Sequence, residues 1–232
     1  MAQMTTAPVT LELFNDVSCP WSHGALEPTR RILDEFAADP TVPPMHLHWR
    51  FMRLRDMPRA GGLPIAEFQA SIAGSDDPER VAEIAHAPHD YVATVGARID
   101  SSRYTWLHDP HTAHCVLAAV RDDAGADRLP SPWSMLRVIY AANFAQGIDV
   151  SDLAALRGAI ERGGLALPGT LWSALADGAF DDAPRVDRER ALEVELDGVP
   201  RIVVNGTIVP TWLDIDEVRS SLRAAIGATP AG

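Results

Sequence analysis

Hydrophobic and polar positions alternate near the N terminus and then change to a helical spacing. Val9, Leu11 and Leu13 alternate with polar residues, which predicts a strand. The apolar residues that follow fall roughly on one face of a helix: Trp21, Ala25, Ile32, Leu33 and Phe36. Alternation returns in residues 45–51, where apolar residues are separated by two histidines and an arginine. Strand, helix and strand predict a βαβ unit with parallel strands and a right-handed crossover.

The middle of the chain shows no further strand alternation. Between about residue 61 and residue 182, apolar residues recur at helical spacing and are interrupted by Gly, Pro and Asp. The predicted helices cover residues 65–72, 78–96, 111–122, 132–146, 151–162 and 168–177. Ser151, next to a carboxylate, is a suitable N-cap for the fifth of them. We therefore predict a helical insertion of about 120 residues.

The C-terminal part returns to mixed structure. A helix near residues 185–196 is followed by two short β-branched runs that flank Asn205-Gly206, a strong hairpin signal. Residues 214–226 then carry apolar residues on one helical face. The order β-α-β, helices, β-β-α predicts an α/β fold. Residues 1–60 and 183–232 would form one discontinuous domain, and residues 61–182 the inserted helical domain.

The composition excludes several classes of partner. The 232 residues are 47% hydrophobic, enough for a sizeable core. The net charge of −12 argues against nucleic acid or an anionic membrane as partner. No apolar run approaches the length of a transmembrane helix, and the first ten residues carry no Lys or Arg. With two cysteines and no secretory signal expected, we predict a cytoplasmic protein.

Cys19 falls where the first predicted strand turns into a helix. Pro20 suits the first helical turn, because it lacks the N–H that would stay unpaired there. Free N–H groups and the helix dipole favour an anion, so a thiolate here would have a pKa lowered from about 8.5 to between roughly 3.5 and 7.5. His23 would add to this effect if protonated. The alternative is a buried, inert cysteine.

Cys19-Pro20-Trp21-Ser22 differs from a Cys-x-x-Cys redox motif only in its last residue. The Ser22 hydroxyl can donate a hydrogen bond to a thiolate but cannot attack a mixed disulfide. The chemistry would then stop at the mixed disulfide until an external thiol arrives. The alternatives are an ordinary first-turn serine and, for Trp21, an anchor in the core rather than a residue at the rim of the site.

The remaining candidates favour structural roles. Cys115 lies in an apolar helical run and is interpreted as a core cysteine, with the resolution of a mixed disulfide on Cys19 as the alternative. A group of metal-ligand residue types lies close together in the sequence: His86, His89, His108, Asp109, His111 and His114. Their spacing matches no zinc signature, so we predict no metal site. Among them His114 is the best placed to approach a ligand groove.

Four segments together resemble the DsbA-like branch of the thioredoxin superfamily. They are Phe14-Asn15-Asp16-Val17-Ser18-Cys19-Pro20-Trp21-Ser22, Trp49-Arg50-Phe51, Thr112-Ala113-His114 and Asp197-Gly198-Val199-Pro200-Arg201-Ile202-Val203-Val204-Asn205-Gly206. The likeness is to FrnE-type oxidoreductases and to 2-hydroxychromene-2-carboxylate isomerase with kappa-class glutathione transferases. It covers essentially the whole chain. It implies an α/β, thioredoxin-like fold with a large all-helical insertion.

The resemblance also implies a cis Val199–Pro200 bond beside Cys19, with the backbone of Val199 free to pair with an extended ligand. In relatives that ligand is a disulfide-bonded peptide or the cysteinyl part of glutathione. The chain departs from both groups of relatives. The oxidoreductases usually carry cysteine at the position of Ser22, and the isomerase and transferase relatives usually carry serine at that of Cys19. Cys115 stands where relatives typically show arginine.

The main functional expectation is a thiol–disulfide oxidoreductase with Cys19 and Ser22 as catalytic residues. The expected substrate-binding residues are Pro20, Trp21, His23, His114, Val199 and Pro200. No permanently bound cofactor is expected, but glutathione or another low-molecular-weight thiol would be a co-substrate. The expected partner is a disulfide-containing protein or a small thiol, and a homodimer is compatible with the sequence. The alternatives are a thiol-dependent isomerase or transferase and a non-catalytic module that binds peptides beside the cis-proline.

Overall fold

A computed structural model describes residues 8–53, 62–75, 77–122, 129–209 and 214–227. The strands are β1 Val9–Asn15, β2 Met45–Phe51, β3 Leu63–Pro64, β4 Trp106–Leu107, β5 Arg201–Val204 and β6 Thr207–Ile208. The helices are α1 Pro20–Ala38, α2 Ile65–Ala73, α3 Pro78–Thr94, α4 His111–Asp122, α5 Pro132–Tyr140, α6 Leu153–Arg162, α7 Gly169–Ala176, α8 Ala183–Glu193 and α9 Ile215–Gly227. None of these helices is long and apolar enough to cross a membrane.

The main sheet has the strand order β2-β1-β5-β6. β1 and β2 are parallel, and β5 is antiparallel to both β1 and β6. Asn205 and Gly206 turn the β5–β6 hairpin with φ of 48° and 85°, the left-handed pair that a two-residue hairpin loop of this type requires. The predicted βαβ unit and the predicted hairpin are therefore confirmed.

The helical region differs from its prediction in three details. Leu63 of β3 pairs with Leu107 of β4 in a two-stranded sheet, where two residues are too short to show alternation in the sequence. The predicted helix 132–146 changes at Tyr140 from an α-helix to a π-helical turn, Ala141–Ala145.

The third difference concerns the cap of α6. Asp152 is the N-cap, since its Oδ1 accepts hydrogen bonds of 2.8 and 2.9 Å from the amides of Ala154 and Ala155. The prediction of Ser151 was wrong by one position. The hydroxyl of Ser151 instead donates to Asp149 in the preceding turn. A side chain caps a helix only from the position directly before its first turn.

A buried network of charges joins the sheet to α4 and α8. Glu12 of β1 lies 2.7 Å from Arg50 and 2.8 Å from Arg190, while Asp187 lies 2.6 Å from Arg121. Glu12 and Asp187 are almost completely buried, and buried carboxylates require such partners. Arg121 and Asp187 pair across the predicted domain boundary. The division into residues 1–60 and 183–232 and residues 61–182 stays a prediction.

Candidate active site

Cys19 occupies the N-cap position of α1. Its backbone is extended, with φ −93° and ψ 113°, and its carbonyl accepts a hydrogen bond of 3.2 Å from the amide of His23. Pro20 begins the helix, as predicted from its missing N–H. The sulfur therefore lies at the end of α1 where the free N–H groups are found.

Val199 and Pro200 lie beside this sulfur. The Val199–Pro200 peptide bond is cis. The Cys19 thiol donates to the carbonyl of Val199 at 3.6 Å. Among the residues that the structure describes, the amide of Val199 has no partner, so one backbone group here is available to a ligand. The fold thus brings Cys19 next to Val199, which lies 180 positions further along the chain.

The Cys19 thiol does not ionise readily in this conformation. Burial and the negative charge of Asp16 raise its pKa to about 11. Hydrogen bonds from Ser22 and from the amide of Trp21 act in the opposite direction but do not compensate. The expectation of a lowered pKa was therefore wrong. Cys19 is only 8% exposed, so the loss of hydration destabilises the thiolate by more than the N-terminal end of α1 stabilises it.

Ser22 lies in the first turn of α1 and is completely buried. Within the described part of the chain, its hydroxyl makes no hydrogen bond of normal geometry. It is nevertheless close enough to Cys19 to oppose the rise in the pKa of the thiol. A hydroxyl in this position can donate to a thiolate once the thiolate forms.

The loop before Cys19 is shaped by Asp16. Its Oδ1 accepts hydrogen bonds of 2.8 Å from both the amide and the hydroxyl of Ser18. The side chain is 1% exposed, so a carboxylate is held next to the sulfur without access to water. The turn has a signal in the sequence, since Asp followed two residues later by Ser is a recognisable turn pattern, but that pattern does not indicate a charge beside the sulfur.

Side chains from the inserted helices form hydrogen bonds with the backbone of the same loop, at Asp16 and Val17. The amide of Val17 donates to Nε2 of His114 at 3.1 Å, and its carbonyl accepts from the side-chain amide of Asn143 at 3.1 Å. The Tyr140 hydroxyl donates to the carbonyl of Asp16 at 3.5 Å. The sequence offered no signal for Tyr140 or Asn143, which stand about 120 residues further along the chain.

His114 is not a substrate-binding residue in this structure. Its side chain is fully buried, and it does not line the cavity at Cys19. A nitrogen that accepts from a backbone amide fixes the loop geometry instead. The prediction that it approaches a ligand groove was wrong, because α4 turns this side chain toward the back of the loop.

His23 also differs from its expected role. Its ring lies 5.1 Å from that of Tyr140 and 5.3 Å from that of Phe144, and its Nε2 is 3.3 Å from the carbonyl of Arg98. Burial lowers its pKa to about 4, so the ring is neutral near pH 7. It therefore adds no positive charge beside Cys19. It faces a second cavity of about 220 Å³ rather than the one at the sulfur.

A cavity of about 240 Å³ opens beside Cys19. Six of the residues around it come from the start of α1 and from the first two insertion helices: Cys19, Pro20, Trp21, Ile65, Phe68 and Ile84. Trp21 is half-buried and packs on Tyr91 of α3 at 5.5 Å between ring centroids, which places it at the wall of the cavity. Gly24 permits this approach, because a Cβ there would lie 2.5 Å from the Tyr91 ring.

No Lys or Arg is among the described residues that line this cavity. Arg53 pairs with Asp109 at 3.0 Å, and Arg201 pairs with Asp197 at 3.0 Å. The cavity at the sulfur is therefore mainly apolar, and the polar residues of its lining are Asp16, Ser18, Gln69 and His89.

Cys115 faces a different set of side chains. Its sulfur lies 3.6 Å from Nε2 of His111 and 4.0 Å from Oδ1 of Asp181. Burial, Asp181 and Asp109 raise its pKa to about 12. Both cysteines are free. The sulfur of Cys19 contacts Val199, whereas the sulfur of Cys115 contacts His111 and Asp181. The geometry gives no support to a resolving role for Cys115.

The mixed sheet, the cysteine at the start of α1, the proline beside it and the helices inserted after β2 define a thioredoxin-like protein. The chain belongs to the family of DSBA-like thioredoxin domains, whose model matches residues 10–223. The resemblance to the DsbA-like branch and the predicted α/β, thioredoxin-like fold with a helical insertion are therefore confirmed.

Solved structures with this fold include oxidoreductases and an isomerase. A probable DsbA oxidoreductase from Streptomyces coelicolor is 21% identical, with a TM-score of 0.76 over 97% of this chain and 93% of that one. The cytosolic disulfide reductase DsbM from Pseudomonas aeruginosa, solved with GSH, is 16% identical, with a TM-score of 0.61 over 94% and 99%. A 2-hydroxychromene-2-carboxylate isomerase is 12% identical, with a TM-score of 0.60 over 94% of each chain. Such identities establish the fold alone. No curated protein matches the chain.

Proposed function

We propose that the protein is a DsbA-like thiol–disulfide oxidoreductase that acts through a single nucleophilic cysteine, Cys19. The observation that carries the proposal is the position of the sulfur. It lies at the N-terminal end of α1, lines a cavity and contacts the carbonyl of Val199 at 3.6 Å. A nucleophile in that position meets a substrate that enters the cavity or pairs with the backbone of Val199.

The reaction we propose has two thiol–disulfide exchanges. The Cys19 thiolate attacks one sulfur of a substrate disulfide, the S–S bond breaks, and the leaving thiolate takes up the proton that Cys19 lost. An external thiol then attacks the mixed disulfide, forms a disulfide with the bound group and returns a proton to Cys19. Ser22 has no sulfur and cannot perform this second step, so its role is to donate a hydrogen bond to the thiolate.

The resting site supports a thiol that is activated only with substrate present. With a pKa of about 11, Cys19 is protonated near pH 7 and donates to Val199. A ligand that pairs with Val199 competes for the carbonyl that holds this proton. Pro20, Trp21, Val199 and Pro200 remain the proposed substrate contacts. Pro20 and Trp21 line the cavity, Val199 contacts the sulfur, and Pro200 is joined to Val199 by the cis peptide bond.

Glutathione or a similar small thiol is the proposed co-substrate, with a disulfide-containing protein or small disulfide as the other partner. DsbM, which shares this fold, is a cytosolic disulfide reductase solved with GSH. The two free cysteines are compatible with the same reducing compartment, the cytoplasm, as the proposed location.

A thiol-dependent isomerase or transferase is the second candidate. The observation that favours it is the mainly apolar cavity of about 240 Å³ with a few polar side chains in its lining, the composition of a small-molecule site. The isomerase with the same fold is the corresponding neighbour. In that case Cys19 or Ser22 would stabilise the thiolate of the cofactor rather than form a bond with it.

Intact-protein mass spectrometry after incubation with oxidised glutathione tests the proposal. We expect one glutathione adduct on the natural chain and on Cys115→Ala, and none on Cys19→Ala. Added dithiol should remove the adduct. Absence of any adduct on Cys19 would contradict the oxidoreductase proposal. Turnover of a small electrophilic substrate with reduced glutathione, again without an adduct, would favour the second candidate.

A further inference from the structure

Three metal-ligand side chains converge beside the start of α4. Nε2 of His111, Sγ of Cys115 and Oδ1 of Asp181 are separated by 3.6, 4.0 and 3.8 Å. His111 and Cys115 are four residues apart and share one face at the start of α4. Asp181 enters from the turn before α8, 66 residues beyond Cys115. The group therefore joins two elements that are distant in the chain.

The three donor atoms surround one point and are not arranged as a proton relay. The sulfur of Cys115 and the oxygen of Asp181 both approach the same nitrogen of His111. A proton relay of the Cys-His-Asp type needs its acid and its nucleophile on opposite ring nitrogens. Ligand atoms of a tetrahedral zinc site, with bonds of about 2.0–2.3 Å, lie about 3.3–3.8 Å apart, and the three separations here are close to the upper end of that range.

We propose that His111, Cys115 and Asp181 form a binding site for a divalent metal ion of the zinc type. Imidazole, thiolate and carboxylate are the ligand types that zinc accepts, and three of them leave a fourth position for water. Cys115 is buried, whereas the side chains of His111 and Asp181 are 39% and 68% exposed. The ion thus has an entry path from solvent on one side and a fixed ligand on the other.

Binding at this site exchanges a proton for the metal ion and involves no redox change. The thiol of Cys115 releases its proton as the sulfur–metal bond forms. A bound ion would also connect α4, which carries His114 against Val17, to the turn before α8.

Cobalt(II) titration of the full-length, reduced protein tests the site, because cobalt(II) bound to thiolate gives a charge-transfer absorption. The chain contains two cysteines, so matched variants assign the band. We expect the band with one ion per chain in the natural protein and in Cys19→Ala, and its loss in Cys115→Ala. Zinc should remove the band by displacement.

Asp181→Asn provides a second variant that does not depend on a core substitution, since this side chain is exposed. We expect it to weaken cobalt and zinc binding by roughly tenfold or more, while far-ultraviolet circular dichroism stays unchanged. A band that persists in Cys115→Ala and vanishes in Cys19→Ala would assign the metal to the active site and overturn the proposal. So would equal affinity in Asp181→Asn or the absence of a band in the natural chain.

Discussion

The side-chain amide of Asn143 donates a hydrogen bond of 3.1 Å to the carbonyl of Val17, two residues before the nucleophile that we propose. His114 accepts from the amide of the same residue at 3.1 Å. Both polar groups of Val17 are therefore bound by side chains of the inserted helices. The insertion does more than enlarge the protein, because it fixes the loop from which Cys19 projects.

Replacing Asn143 should loosen this loop. We expect Asn143→Ala to lower the free energy of unfolding by about 1–3 kcal/mol, since the buried carbonyl of Val17 loses its donor. Urea denaturation measures the change. Gln146→Ala, an exposed position just after the same π-helical turn, is the control and should stay within about 0.5 kcal/mol of the natural protein. Equal stability of the two variants would show that the contact does not hold the loop.

The reactivity of Cys19 should follow its raised pKa. In a Cys115→Ala background, the rate of iodoacetamide alkylation should increase about tenfold per pH unit and level off only near the pKa of about 11. A plateau reached by about pH 9.5 would contradict the burial argument and indicate an unperturbed thiol, and a plateau reached by about pH 8 would indicate a thiol with a lowered pKa.

Two variants separate the causes of that pKa. Asp16→Asn keeps an oxygen acceptor for Ser18 but removes the negative charge, so the pKa of Cys19 should fall and alkylation near pH 8 should become several-fold faster. Ser22→Ala removes a group that favours the thiolate, so the pKa should rise and alkylation should slow. Changes of the same sign in both variants would argue against this assignment.

The sequence predicts the framework of this protein better than its chemistry. Alternation in β1 and the Asn205-Gly206 turn are local signals, and the structure contains both elements. The pKa of Cys19 depends instead on how deeply the sulfur is covered and on the charge of Asp16 beside it. Such packing joins distant segments, so the motif alone predicted a shift of the wrong sign.

The same limit explains the histidines. Considered along the sequence, His111 and His114 belong to a cluster without a metal-ligand spacing. In the structure they point in different directions from α4, one to Val17 and the other to Cys115 and Asp181. The third donor of the proposed metal site lies far outside the cluster, so no pattern of spacing could have included it.

Burial of His23 makes stability depend on pH in a defined window. Its pKa is about 4 in the folded protein and 6.5 without the burial. As the pH falls below 6.5, the unfolded chain takes up a proton that the folded protein does not, so stability decreases until about pH 4. His23→Gln should remove up to about 3 kcal/mol of this pH dependence. The exposed His86→Gln is the control, and an unchanged pH slope in His23→Gln would contradict the assignment.

Glu12 should make the folding stability depend on pH in a more acidic range than His23 does. Burial alone would raise the pKa of Glu12, but hydrogen bonds and charges from Arg190 and Arg50 outweigh it and bring the pKa below 4.5. A carboxyl with a lowered pKa stabilises the fold fully above its unfolded value, and that contribution is lost as the pH falls through the folded value. Glu12→Gln should therefore cost about 3 kcal/mol near neutral pH, where it leaves two arginines without their buried partner.

The same arginine provides the control for Glu12. Arg190 also pairs with Glu193 at 3.0 Å, but that carboxylate is 65% exposed. Glu193→Gln should cost less than about 1 kcal/mol, because an exposed pair is screened by solvent. Urea unfolding of both variants across the acidic range gives the comparison. The deficit of Glu12→Gln should shrink as the pH falls from 4.5 through the lower pKa of the folded protein, because the natural side chain is then neutral as well. Equal costs for the two variants would show that burial of Glu12 does not determine its contribution.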